Sequence, residues 1–257
     1  MNVEELKAEF AKLPDVGTGP PYSWQRHQQS FRRHVEEDDP DKFLRWSTSI
    51  ATMFVGNAMY ILDEIEYLGP GTWWRILEEP WFGDAIPYST ARYTSGNLIH
   101  QAFHLKVFEN LSGLKVKDMK SVYEFGGGYG AMALMARRFE FDGKYVIQDL
   151  PELSLLQRFY LSNVGVEADL VTDLPEQRAY DLFIGCFSIS EVGLEKRDEI
   201  FDGINADAYL FAFQHVWEDV NNEEWFMDFV ENMDMHHTLR WMDHMESGPN
   251  YHLVIWK

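Results

Sequence analysis

Residues 122–138 read VYEFGGGYGAMALMARR: a short apolar run, glycines at 126, 127, 128 and 130, then an apolar-periodic stretch. Val122, Tyr123 and Phe125 predict a buried strand, and residues 131–139 predict a helix. Glycines between a strand and a helix let backbone come close to a ligand, with the helix N-terminus aimed at it. Glu124 stands at the strand's C-terminal tip, where open α/β sheets bind small molecules. The stretch predicts a cofactor loop.

Its glycines parse in two ways. Gly126-x-Gly128-x-x-Ala131, with Asp149 near the expected distance, satisfies the dinucleotide fingerprint of an NAD(P)-dependent oxidoreductase. Glu124-x-Gly126-x-Gly128-x-Gly130 is also the acid-plus-glycines loop associated with S-adenosylmethionine. The surroundings favour the second. A carboxylate at Glu124 suits a cationic amino group and repels a pyrophosphate.

Downstream, strands are expected at 121–125, 144–148, 168–171, 181–187 and 208–215, with helices at 131–139, 151–161, 194–204 and 222–233 between them. The tail differs. Segments 237–243 and 251–256 look like strands joined only by the turn MESGPN, which implies an antiparallel hairpin at the sheet edge. A nicotinamide-binding sheet would end on a parallel strand after a crossover helix. With S-adenosylmethionine bound, and S-adenosylhomocysteine as product, Asp149 is expected to accept hydrogen bonds from the ribose hydroxyls. Leu150 would pack by the adenine, and Asp173 would meet the adenine amino group or cap its own loop.

Upstream, Asn2 and Glu5 form a capping box for a helix through Leu6 and Phe10, ended by Pro14. The loop DVGTGPPY follows as a linker. Three more helices are expected: one from Ser23, one holding Phe43, Leu44 and Ile50 to Phe54, and one holding Leu62, Ile65 and Leu68 before Gly69-Pro70. No strand is expected in the first hundred or so residues. A further helix, 95–111, carries Asn97, His100, Gln101 and His104 at i, i+3, i+4 and i+7. In so acidic a chain a solvated face should be rich in Glu and Lys. This uncharged stripe is expected to face a polar cavity or the cofactor, or to be surface or satisfied core. Residues 1–112 are thus expected to form a helical cap, and 113–257 the cofactor-binding domain.

The chain has 257 residues, 46% hydrophobic and 15% aromatic, enough for a substantial core. Its formal net charge of -20 disfavours nucleic acid and anionic lipid as partners. One cysteine, Cys186, leaves no intrachain disulfide and no Cys-based zinc site. The start, MNVEELKAEF, lacks a basic-then-apolar pattern, and no apolar run is long enough for a bilayer. A soluble protein of the cytoplasm is the expectation.

EFGGGYG, YVIQDLPELSLLQRFYL and DLFIGCFSISEVGLEKRDEI, with YTSGNLIHQAFHL upstream, resemble blocks of the sugar O-methyltransferases, a class I S-adenosylmethionine-dependent family. The resemblance implies a Rossmann-like methyltransferase sheet with the antiparallel C-terminal hairpin, a helical substrate cap, and a sugar hydroxyl as acceptor. Where that family often carries Asn after the fourth strand, this chain has Gly185-Cys186-Phe187-Ser188. Phe187 is placed with the cofactor-binding residues.

Transfer of a methyl group to a hydroxyl requires alignment and removal of a proton. His215 and Glu191, which close the fifth and fourth strands, are the first candidates for the base, followed by His100 and His104. Each also reads as a structural hydrogen-bonding or capping residue. No metal is expected, because HExxH and cysteine clusters are lacking. Trp73, Trp74, Trp81 and Phe82 suit a sugar face, the core of the cap, or a homodimer contact through the cap. A non-catalytic cofactor-binding scaffold keeping the same fold is a further alternative.

Overall fold

Five parallel strands form the centre: β1 (Ser121–Phe125), β2 (Lys144–Gln148), β3 (Asp169–Val171), β4 (Ala179–Cys186) and β5 (Asn205–Gln214). The hairpin β6 (His236–Trp241) and β7 (Asn250–Trp256) completes a seven-stranded sheet in the order β6-β7-β5-β4-β1-β2-β3. β7 runs antiparallel to both neighbours, pairing Leu253 with Phe211 on one side and Leu239 on the other. This is the Rossmann-like sheet with an antiparallel C-terminal hairpin that the sequence predicts. The computed structural model describes residues 1–17, 24–56, 59–69, 73–242 and 249–257, without the side chains of Trp73 and Trp74. Ser23, Pro70, His244, most of the MESGPN turn and part of the DVGTGPPY loop lie outside the described residues.

The strand period of two sorts the core into two layers. Val122, Ile147, Leu182, Ile184, Leu210 and Val254 face one side, while Tyr123, Val146, Phe183, Tyr209, Phe211 and Leu253 face the other. Among the described residues the helices are α1 (Val3–Phe10), α2 (Trp24–Glu37), α3 (Ser47–Met53), α4 (Tyr60–Leu68), α5 (Trp73–Ile76), α6 (Gly96–Ser112), α7 (Ala131–Arg138), α8 (Pro151–Val164), α9 (Leu194–Gly203) and α10 (Asn222–Glu231). α1 to α8 supply the first layer's core residues, and α9 and α10 supply the second's.

Polar side chains tie the early helices down. The Asn2–Glu5 box is present, with both reciprocal bonds at 2.8 and 2.9 Å. On α8, the fully buried Glu152 accepts from Gln28 Nε2 and Arg32 Nε, both at 2.7 Å, and so holds α2. Asn97 bonds Val55 N and Met53 O, each at 2.9 Å, and holds the end of α3 against α6.

Two expectations for this region fail. Pro87–Tyr88 and Ala91–Ser95 pair as a small antiparallel hairpin leading into α6, so the first hundred residues do contain strands. The pairing is so short and irregular, with two exposed residues followed by two buried ones, that no alternation marks it. The helix expected across 43–54 is also broken: Pro40–Arg45 is a 3-10 turn, and Trp46 is extended before α3 begins. Trp46 is buried and stacked on His34, centroids 5.3 Å apart, a contact a continuous helix would forgo.

Candidate functional site

β1 runs straight into the glycine turn. Gly126 N bonds Gln148 O at 2.9 Å, and Gly126 adopts φ +72°. A Cβ there would lie 2.3 Å from Ser188 Cβ, so the tips of β1 and β4 touch. Ser188 Oγ donates to Phe125 O and seals that contact. The chain then turns through Gly130 into α7, whose first six residues are buried. The helix N-terminus is therefore fixed against the loop.

Two carboxyls flank this loop from adjacent strand tips. Glu124 is buried and accepts from Tyr145 Oη at 2.8 Å. It lies beneath the loop: a Cβ on Gly127 would sit 3.1 Å from its Oε2. Burial, with the nearby Asp149 charge, pushes the Glu124 carboxyl up to about 8 despite the Tyr145 hydrogen bond. Burial likewise pushes half-buried Asp149 up to about 7, against the donors that oppose it. Those donors are Leu150 N at 2.8 Å on Oδ1, with Gly128 N at 3.2 Å and Gln157 Nε2 at 2.7 Å on Oδ2. Asp149 is thus turned toward the glycine loop rather than held clear of it.

Gln157 has no place in the sequence analysis. It is fully buried on α8 and also donates to Gly128 O at 3.0 Å, joining the second strand's acid to the loop. Its signal is an amide within the apolar stripe of Leu153, Leu156 and Tyr160, at helical spacing.

The other expected cofactor contacts divide. Leu150 caps α8 directly beside Asp149. Phe187 follows β4 with φ +55°, a costly backbone for a non-glycine residue and of the kind that clusters at functional sites. Asp173 is exposed after β3, accepting from Thr172 Oγ1 at 3.4 Å. Met53 of α3 closes over the loop, its Sδ 3.5 Å from where a Gly128 Cβ would stand. Behind it a cavity of about 10 Å³, room for about one water, is lined by Ser49, Met53, Ser95 and Asn97 among others. An open groove of about 850 Å³ lies at the opposite end of the sheet, beside Lys144 and Asp169, and includes none of the site residues.

Of the four base candidates, two come together. His100 and His104 are buried, with ring centroids 4.2 Å apart and Phe187 about 6 Å from each. The polar stripe of α6 therefore packs between α3 and α4 on one side and Phe187 on the other, with Asn97 also 3.3 Å from Tyr129 Oη. Gln101 is half-buried. Glu191 closes a 3-10 turn after β4, half-buried, its carboxyl pushed up to about 7 by burial. Ser190 Oγ bonds Gln214 Oε1 at 2.9 Å and pins that turn to the end of β5. His215 stands further out, with Nδ1 2.9 Å from Glu223 Oε2 and both side chains more than a third exposed. Cys186 is half-buried at the end of β4, its thiol pushed well up by burial. Among the described residues no group of three or more His, Cys, Asp or Glu is placed to hold a metal ion. None of their helices is long and apolar enough to cross a membrane.

No family model matches the chain, and no curated protein does. Solved structures to which it is similar include methyltransferases. One is precorrin-6y C5,15-methyltransferase from Geobacter metallireducens GS-15, at 11% identity and TM-score 0.46, over 68% of this chain and 95% of that one. An O-methyltransferase family protein from Burkholderia thailandensis aligns at 14% and 0.44, over 62% and 58%. An rRNA methylase from Streptococcus thermophilus aligns at 15% and 0.42, over 57% and 87%. Likeness at this level carries no argument about reaction or acceptor. The weight falls on the site.

Proposed function

We propose that this protein is an S-adenosylmethionine-dependent methyltransferase that methylates a hydroxyl of a small molecule. One observation carries the proposal: a glycine loop with a buried carboxyl beneath it and a second at the neighbouring strand tip, both pushed up by burial. Such a pair is short of positive charge, which a cationic amino acid moiety supplies and a pyrophosphate does not. The residues fit the cofactor. Glu124 would take its ammonium group, and Gly126, Gly128 and Gly130 its close approach. Asp149 and Leu150 would hold the adenosine, Phe187 the methyl end, and Asp173 the adenine amino group. Bound there, the cofactor supplies a methyl group activated on a sulfonium. The chain's own task is to align the acceptor, exclude water and take a proton.

The acceptor is proposed to be a carbohydrate hydroxyl, meeting the chain on the side of residues 1–112. The family blocks support this, as does Trp81, which is 43% exposed beside half-buried Phe82. The net charge of -20 disfavours nucleic acid as the acceptor. Ile50, Met59 and Leu62 are exposed on and around α3 and α4, and a homodimer through the cap would cover them.

Calorimetry with S-adenosylhomocysteine tests the cofactor assignment. Binding in the micromolar range is expected, and no heat at high micromolar concentration sinks it. Saturable enhancement of NADH fluorescence without that binding would instead favour the oxidoreductase parsing. Tight binding without transfer to any sugar or phenol would favour a scaffold.

A further inference from the structure

A second buried cluster lies along α6, and Glu64 at its head carries no role so far. Glu64, on α4, is fully buried, with Oε1 2.7 Å from His100 Nδ1. Tyr60, one turn earlier, sets its ring edge-on to His100 at 6.2 Å between centroids. His104 packs on another side, and its Nδ1 meets Nε2 of His252, on β7, at 2.6 Å. Phe103 and Phe187 stack on the His100 ring at 6.4 and 6.2 Å, with interplanar angles of 27° and 22°. The remaining ring nitrogens of His104 and His252 are sealed from solvent. His100 keeps 4% exposure.

A carboxylate held among aromatic rings is costly to desolvate, and a docking contact alone could be made by an amide. A carboxylate on Nδ1 does something an amide does poorly. It fixes the proton on Nδ1, leaves the Nε2 lone pair free, and stabilises the imidazolium that forms when Nε2 takes a proton. His215 has a carboxylate partner too, but that pair is solvated at the outer end of β5.

We propose that Glu64 and His100 form the base dyad of this site, with His100 the catalytic residue and Glu64 the residue that positions it. The proposal rests on the methyltransferase function above. In the step it serves, the acceptor oxygen bonds the methyl carbon and the carbon–sulfur electron pair stays on sulfur. The hydroxyl proton passes to Nε2 of His100, leaving an imidazolium opposite the Glu64 carboxylate. Because Glu64 comes from α4 and His100 from α6, the packing of α4 on α6 assembles the base.

Long-range ¹H–¹⁵N spectra of the histidine rings test the dyad without any acceptor. His100 should carry its proton on Nδ1. Glu64→Gln and Glu64→Leu should both mix that tautomer with the Nε2 form. A proton on Nε2 in the unaltered chain overturns the proposal. Diethyl pyrocarbonate, read by mass spectrometry, should label His100 faster than His104 or His252, and S-adenosylhomocysteine should slow it. Labelling indifferent to that ligand overturns the proposal even where every variant misfolds. With catechol and methyl glycosides as acceptors, His100→Asn should lower kcat by roughly 10²- to 10⁴-fold, with KM for S-adenosylmethionine unchanged. An unchanged kcat overturns it. Absent calorimetric binding removes the cofactor assignment but leaves the tautomer result standing, so the two failures are told apart.

Discussion

The sheet and the helices that precede it are held by different kinds of contact. In β1, β2, β4 and β5 most side chains are buried, the apolar ones in two layers sorted by the strand period, while β3 at the edge is half-buried or exposed. Before residue 113 the apolar contacts are supplemented by buried polar ties: Glu152 with Gln28 and Arg32, Asn97 with α3, and Glu64 with His100. Apolar layers add stability with little demand on geometry. Polar ties demand geometry and add little net stability, because desolvation offsets most of their attraction. The first arrangement makes a platform, and the second fixes how the early helices sit on it.

Several substitutions press on that difference. The largest effect belongs to the platform: Phe183→Ala, fully buried at the centre of its layer, should cost about 4 kcal/mol in urea unfolding. Glu152→Ala should cost about 3 kcal/mol, because it leaves Arg32 and Gln28 without their partner. The double change Arg32→Met with Glu152→Leu should recover most of that loss. If it does not, the ties stabilise the early helices as well as orient them, and the contrast weakens.

Gly126→Ala should cost about 2 kcal/mol, because its Cβ meets Ser188 at positive φ. It should also weaken S-adenosylhomocysteine binding more than its stability loss explains, as calorimetry would show.

A smaller effect appears with pH. Glu124 and Asp149 have raised folded-state pKa values, about 8 and about 7, so the folded chain keeps protons that the unfolded chain has released. Their contribution to stability therefore falls as pH rises from about 4 to about 8. An ammonium ligand favours the ionised carboxyls, so the rise in Tm on adding S-adenosylhomocysteine should grow from about pH 6 to about pH 7.5, while its amino group remains charged. Glu124→Gln should flatten both trends. The least effect is expected at the solvated pair: His215→Asn should change stability by less than about 1 kcal/mol and leave cofactor affinity unchanged.

Most of the platform was legible in the chain itself. VYEFGGGYGAMALMARR announces strand, turn and helix because each part has its own signature: apolar run, glycines, period of about 3.6. β1, β2, the hairpin, and Glu124 and Asp149 at strand tips follow from such local patterns. The candidate site was legible only as a set of residue types. The sequence puts Asp149 at a strand tip, and only the structure shows Gly128 N and Gln157 Nε2 donating to it. His100 and His104 ranked below His215, yet they are the pair that packs against Phe187. Gln157 and Glu64 each break an apolar helix face, a trace in the sequence that marks the residue but not its partner.

By itself, then, the sequence determined the sheet, its antiparallel end and the glycine loop beneath α7, since local propensity and short-period burial are written residue by residue. The tertiary structure alone decided that Glu64 meets His100 across 36 residues and His104 meets His252 across 148. Such pairs depend on where whole elements dock. That is set by the summed packing of both layers, and no window of sequence contains it.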